Sequence, residues 1–324
     1  MNKSKRILLI DQLNLFFRNY IVNPSLSTNG APIGGLRGCI QSIQKIARES
    51  KPDMIVVCWD GEGGSAKRKL IKKDYKGGRK PIRLNRGIRN LSPEEEMQNK
   101  VWQQTRLIEY FNHTPIMQFM FKGVEADDII AYISQLSEVS DCEKLIVSSD
   151  KDFYQLLSGN TVLYRPVQKQ VLNQKSILEQ FDIHPTNFAM ARAMAGDKTD
   201  NLEGIGGVGL KTVSKRFPFF KEKEAVTFEK LLDYSRVMLE ETKVRTYEKV
   251  LEREHILRRN YKMMQLYAPS LGIEDKNTIR ETIRDSDLLF NKTELIKMMM
   301  QDGFGEINFI ELFQHFNKMC LDRQ

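Results

Sequence analysis

Residues 6–11 read RILLID, a short apolar run closed by an acid. The design returns at 53–60, DMIVVCWD, and again at 144–150, KLIVSSD. Runs without alternation suit strands buried on both faces of a parallel sheet. Helical spacing fills the intervals. Leu36, Ile40, Ile43 and Ala47 form one stripe, and Met97, Val101, Thr105, Ile108 and Phe111 form another. The second helix has a legible start, with Ser92 as N-cap, Pro93 at the first helical position and Glu95 completing a capping box. TVLYRP at 161–166 adds an edge strand ending at proline. The order β, α, β, basic segment, α, β, α, β predicts an α/β fold, a mostly parallel central sheet flanked by helices. From about residue 185 helical patterns take over, so the expected division is an α/β domain over 1–184 and a helical domain over 185–324.

No apolar run approaches ~18 residues, which excludes a membrane span. Asp11 interrupts the first apolar stretch and no small-residue cleavage site follows, so it reads as a strand and not a signal peptide. The cysteines (Cys39, Cys58, Cys142, Cys320) and histidines (His113, His184, His255, His315) are scattered. That pattern argues against structural zinc and disulfides, fits a reducing cytoplasm, and leaves hard, oxygen-bound ions as the metals to consider. The net charge of +8 is uneven, because residues 67–89 hold eleven Lys/Arg against the single acid Asp74. A localised basic segment on a near-neutral body favours one polyanion-contacting surface.

The acids form the complementary pattern. Asp11, Asp60 and Asp150 each close an expected parallel strand, and the carboxyl ends of such strands form the ligand crevice of open α/β sheets. Glu125, Asp127 and Asp128 open a helix in GVEADDII. Complementing the helix dipole is one reason for acids there; a bound cation is another. On an ideal helix Glu125 and Asp128 share a face and Asp127 points elsewhere. Asp152 follows Asp150, and Asp197 and Asp200 lie in GDKTDN. Taken singly, Asp11, Asp152 and Asp200 also read as caps or turn residues. Many carboxylates on one rim cannot all stay ionised without cations. Magnesium or manganese satisfies them, and two such ions can generate a nucleophile and clamp a phosphodiester.

The stretch EGIGGVGLKTVSKRF at 203–217 fails as a P-loop, since Leu210 separates Gly209 from Lys211. Two short helices joined by a glycine hairpin account for it better, with backbone N–H groups, Lys211 and Lys215 meeting a phosphate. A plain glycine-rich link is the bland alternative.

Together LLIDQLNLFFR, VVCWDG, DYKGGRK, GVEADD, SSDKDFYQLL and GDKTDNLEGIGGVGLKT cover about residues 6–216. In that order they resemble the 5′-nuclease/flap endonuclease family, most of all the phage 5′→3′ exonucleases of the T-even ribonuclease H type. No length remains for a fused polymerase, so a stand-alone enzyme is expected. The resemblance implies that Asp11, Asp60, Glu125, Asp127, Asp128 and Asp150 serve a first Mg²⁺ (or Mn²⁺). Asp152, Asp197 and Asp200, sharing Asp150, serve a second. It implies an arch or clamp over about 62–92, where Lys76 and Arg79 contact the scissile phosphate and Tyr75 stacks on a base. Lys69, Lys72, Arg83 and Arg86 are then DNA contacts, and 81–90 belongs to the part that folds on the nucleic acid. The hairpin at about 197–216, with Gly204, Gly206, Gly209, Lys211, Thr212 and Lys215, matches a helix-hairpin-helix that grips duplex DNA and holds K⁺ on main-chain carbonyls. Where the family carries glycine after the first aspartate, Gln12 stands here, which changes the packing beside Asp11.

The expected function is a metal-dependent, structure-specific 5′→3′ nuclease, cutting DNA flaps, nicked duplex and RNA–DNA hybrids and removing primers in replication. It leaves a 5′-phosphate and a 3′-hydroxyl. A monomer is expected, in the host cytoplasm if phage-encoded. Its C-terminal helices serve as core or dock a single-stranded-DNA-binding protein. One rival is a catalytically silent branched-DNA-binding protein, which gains nothing from acids facing phosphate. The other is a shorter PIN-type ribonuclease, which requires neither the basic segment nor the hairpin.

Overall fold

A computed structural model describes residues 5–79, 82–85, 87–88, 91–285, 287–306 and 308–322. Arg86 and parts of the 81–90 stretch thus lie outside the described residues. Strands β1 (Arg6–Asp11), β2 (Met54–Cys58), β3 (Met117–Phe119), β4 (Glu143–Val147), β5 (Thr161–Arg165) and β6 (Gln170–Leu172) form one sheet, ordered β3-β2-β1-β4-β5-β6. All pairings are parallel except β5 with β6. The strand at 161–165 is therefore not the edge; the chain folds back and β6 takes that place.

Helices α1 (Gln12–Val22), α2 (Gly34–Ser50), α3 (Ala66–Ile71), α4 (Pro93–Phe111) and α5 (Ala126–Ser134) fall among the first strands. After the sheet come α6 (Gln174–Phe181), α7 (Phe188–Ala195), α8 (Leu210–Arg216), α9 (Phe228–Thr242) and α10 (Arg245–Glu252). The chain continues through α11 (Glu254–Met264), α12 (Ile273–Asp285), α13 (Lys292–Gln301) and α14 (Ile310–Leu321).

Within β1 the faces alternate, as the pleat requires. Ile7 and Leu9 join a core with α5, α7 and α11, whereas Leu8 and Ile10 join one with α1, α2 and α4. Burial on both sides explains the unbroken apolar run. Leu295, Met299, Leu312, Phe313, Phe316 and Met319 of α13 and α14 belong to the same core as α2. Among the described residues, no helix is long and apolar enough to cross a membrane.

Helix α4 begins as expected, with both hydrogen bonds of the Ser92–Glu95 capping box in place. Its buried stripe differs from the expected one. Gln103, Leu107, Tyr110 and Phe111 face inward, while Met97 and Val101 are 63% and 52% exposed. Gln103 holds an inward position because its amide satisfies backbone groups there, accepting from Leu36 N (2.9 Å) and donating to Pro32 O (2.9 Å).

Candidate metal and nucleic-acid site

Three acids stand at the carboxyl ends of adjacent strands. Asp11 ends β1 and caps α1, accepting from Asn14 N at 3.2 Å and Ser148 Oγ at 2.9 Å. Asp60 and Asp150 lie just beyond β2 and β4, not within them. Asp60 accepts from Ala126 N (2.7 Å) at the start of α5, and Asp150 accepts from Asp152 N (2.8 Å). Among the described residues none of these three has an ion-pair partner within 4.0 Å. Burial, with the carboxylates of Asp60 and Asp150 adding to it, pushes Asp11 up to about 7. Asp150 is also raised, first by its depth among protein atoms and then by Asp127 and Asp200. This is negative charge awaiting a counter-ion.

The acids of GVEADD are arranged otherwise. Glu125 is the N-cap of α5, with extended backbone, so the shared-face expectation does not apply to it. The three acids converge on a residue the sequence reading did not single out, Arg68 of α3. It pairs with Glu125, with Asp127 at 3.0 Å and with Asp128 at 3.4 Å. Lys76 also pairs with Glu125, and Ser65 Oγ donates to it at 2.8 Å. Burial works to raise Asp127, but the Arg68 charge and hydrogen bond outweigh it and hold the carboxyl low. Asp128 goes the other way, to about 6, because burial and the neighbouring Asp127 prevail over Arg68. The two also face differently. Asp127 lies within the field of Asp150 and Asp152, whereas Asp128 accepts from Ser270 N at 2.8 Å in the loop before α12. The expectation that Asp127 points away is therefore reversed.

A third group gathers Asp152, Asp197 and Asp200. Arg192 of α7 binds Asp152 (3.1 Å) and Asp197, and Thr199 N donates to Asp197 at 2.7 Å. Burial and Asp150 still push Asp152 up to about 7. Asp200 is held by Arg79 at 2.5 Å and by the Tyr75 hydroxyl at 3.1 Å. Tyr75 is only 4% exposed, packed with Leu202, Met263 and Met264. The Tyr75 ring thus offers no exposed face for stacking in this structure. Lys76 takes a left-handed backbone (φ 60°), its N–H bonded to Asp200 O at 3.0 Å. Such a conformation in a non-glycine residue persists only where surrounding contacts enforce it.

As placed, no three His, Cys, Asp or Glu among the described residues converge closely enough to hold a metal ion. The expected single rim of nine carboxylates is divided into three groups, with guanidinium and ammonium groups compensating two of them. Arg68 and Arg192 were missed. Arg192 did carry a signal, as the one cation in the otherwise apolar FAMARAMA. The donor chemistry nevertheless suits a hard divalent ion. It is all oxygen, and in the strand-end group Asp11 and Asp150, both raised by burial, have no direct ion pair among the described residues.

Of the expected DNA contacts, Lys69 is exposed on α3, Lys72 pairs with Asp74 at 2.5 Å, and exposed Arg83 lies 3.4 Å from Glu96. Leu84, next to Arg83, is buried and its N–H is bonded to Glu96 of α4 at 2.6 Å. In the hairpin, Gly204 permits a close approach, since a Cβ there would fall 2.3 Å from Ala195 O. Gly206 and Gly209 face open space, and Lys211 and Lys215 are exposed, with Thr212 half-buried. Gln12 is fully buried, its amide 3.4 Å from Cys39 Sγ, so the space beside Asp11 is filled.

A family model described as the 5'-3' exonuclease, N-terminal resolvase-like domain, matches residues 6–182. A 5'-3' exonuclease of Aquifex aeolicus is 29% identical over 209 residues, 64% of this chain and 67% of that protein. Thermus thermophilus DNA polymerase I is 28% identical over 211 residues, 65% of this chain but only 23% of the polymerase. Phage T5 D15 protein, crystallised with metal ions, superposes with a TM-score of 0.66 at 20% identity, covering 91% of this chain and 99% of that one. At that identity the likeness speaks for the fold.

Proposed function

Because the chain belongs to the 5′-3′ exonuclease family on the strength of that match over residues 6–182, we propose that it is a divalent-metal-dependent, structure-specific 5′→3′ nuclease. Its substrates are DNA flaps, nicked duplex and RNA–DNA hybrids. One observation carries the reading: Asp11, Asp60 and Asp150 stand together at the carboxyl edge of the sheet, and among the described residues none has an ion-pair partner within 4.0 Å. A related phage protein has been crystallised with DNA and metal ions as a flap endonuclease, which supports the substrate class.

In this reading Asp11, Asp60, Asp150 and Asp127 hold one Mg²⁺ or Mn²⁺. Asp152, Asp197 and Asp200, sharing Asp150, serve a second. Such ions, when bound, supply charge neutralisation and Lewis-acid activation for phosphodiester hydrolysis. Glu125 and Asp128 act at one remove, holding Arg68, Lys76 and the Ser270 loop. Lys76 and Arg79 rest on Glu125 and Asp200 at the rim of the site. From there they exchange a carboxylate for the scissile phosphate and orient it. The exposed Lys69, Arg83, Lys211 and Lys215 hold the flanking backbone.

The test is cleavage of 5′-labelled flap, nicked and RNA–DNA substrates with and without Mg²⁺. Release of 5′-labelled products only with the metal is expected. Intact substrates with Mg²⁺ present would overturn the assignment.

A further inference from the structure

The hairpin between α7 and α8 is the place where the family resemblance implies a potassium ion on main-chain carbonyls, and the carbonyls of Glu203, Ile205, Gly206 and Gly209 are already engaged. Asn260 Nδ2 donates to Glu203 O at 2.7 Å, and Val208 N to Ile205 O at 2.9 Å. The first turn of α8 takes Gly209 O. Gly206 O, at the open tip, accepts from the ammonium of Lys249 at 3.0 Å. That lysine comes from another element, α10. A Cβ placed on Gly207 would lie 3.8 Å from its Nζ, so the ammonium sits over the Gly206–Gly207 turn. Its placement is built. Tyr247 fixes α10 against α8, its hydroxyl donating to Arg216 O at 3.2 Å and its ring edge-on to Phe217 at 5.5 Å.

A monovalent cation on the carbonyls of a hairpin tip does two things. It neutralises the inward dipoles, and it presents positive charge outward to a phosphate. A lysine ammonium carries the same unit charge and offers three donors, one of which Gly206 O uses. We propose that Lys249 is the resident cation of this hairpin, replacing an external K⁺ and contacting the duplex backbone together with Lys211 and Lys215. The inference rests on the nuclease reading for its ligand, duplex DNA. What it adds is a DNA-contacting residue outside every motif of the sequence and an independence from the identity of the salt cation.

The test measures binding of a fluorescent 5′-flap duplex by the full chain, with Ca²⁺ replacing Mg²⁺, in KCl and in NaCl. Wild type is expected to bind equally in both. Lys249→Met is expected to bind about eightfold more weakly in about 0.1 M NaCl, with a log–log salt slope shallower by about 0.9, as loss of one phosphate contact requires. KCl should restore more of that loss than NaCl, and Lys249→Arg should bind like wild type. Thermal unfolding checks that each variant is folded. Tighter binding of wild type in KCl than in NaCl, an arm that needs no variant, would overturn the proposal. So would an unchanged affinity and salt slope in folded Lys249→Met. Failure of the nuclease reading is a separate result: wild type that leaves flap substrate uncut with Mg²⁺.

Discussion

The strand-end acids and the acids of GVEADD share the same edge of the sheet, yet their charge is balanced in opposite ways. Asp11, Asp60 and Asp150 have hydrogen bonds but, among the described residues, no direct ion pair; Asp150 feels Arg192 only at longer range. Glu125, Asp127 and Asp128 have Arg68, whose side chain is only 11% exposed, and Lys76 besides. Burial raises Asp11 and Asp150 of the first group, so their ionised forms gain from a bound cation. The second carries its own compensation in Arg68 and Lys76. Proximity of carboxylates therefore does not by itself decide how their charge is met: one group lacks a direct ion pair, and the other has Arg68 and Lys76.

The sharpest break of that comparison is Asp150→Asn. Single-turnover cleavage of a flap substrate should fall by about 10³-fold or more, the scale on which one preorganised electrostatic group acts, with binding in Ca²⁺ nearly unchanged. Undiminished turnover would remove Asp150 from the site. Arg68→Met attacks the other group. It leaves three buried or half-buried acids without their cation, and a loss of about 3–5 kcal/mol in urea unfolding is expected. A loss under about 1 kcal/mol would show that Arg68 is not their main compensation. Lys76→Ala should slow single-turnover cleavage by about 10²-fold with the melting temperature kept; an unaltered rate would confine Lys76 to holding Glu125.

A gentler probe needs no mutation. Asp11 and Asp152, both raised to about 7, favour the protonated folded state above the ordinary carboxylate range. The folded metal-free protein then binds more protons than the unfolded chain between about pH 4 and 7, so its stability should fall as pH rises through that window. Mg²⁺ at 100 times its dissociation constant should add about 2.7 kcal/mol at neutral pH and flatten the decline. A metal-free melting temperature that climbs from pH 4 to 7 would contradict the crowding. The smallest effect belongs to Gln12→Met. Its buried Oε1 has no hydrogen-bond partner, so the change should stabilise by up to about 1 kcal/mol and leave the Mg²⁺ response intact. An altered Mg²⁺ response would bring Gln12 into the charge balance of the site.

Much of this was legible in the sequence because it is local. RILLID, DMIVVCWD and KLIVSSD announced the buried strands, and Ser92 with Glu95 announced the start of α4. What stayed hidden depends on distant partners. Arg68 was one of eleven cations in a basic run, and nothing near it says that its charge turns inward. The resemblance made Tyr75 a base-stacking residue, and nothing near it in the sequence shows that Asp200, far along the chain, takes its hydroxyl. Met97 and Val101 fit a helical stripe, but the burial of Gln103 rotates that stripe away from them. Lys249 lies outside every motif, and its link to Gly206 is purely tertiary.

The packing of α14 against α2 has a consequence for how the molecule comes into being. Phe313 and Phe316 belong to the same cluster as Ile40 and Ile43, so residues made early wait for partners made about 270 positions later. At a synthesis rate of about 5–20 residues per second, α2 spends many seconds with that apolar flank uncovered. Contacts so distant in the chain also slow folding itself. Until residues 310–321 emerge, the α2 face of this core lacks the apolar side chains that cover it in the folded protein.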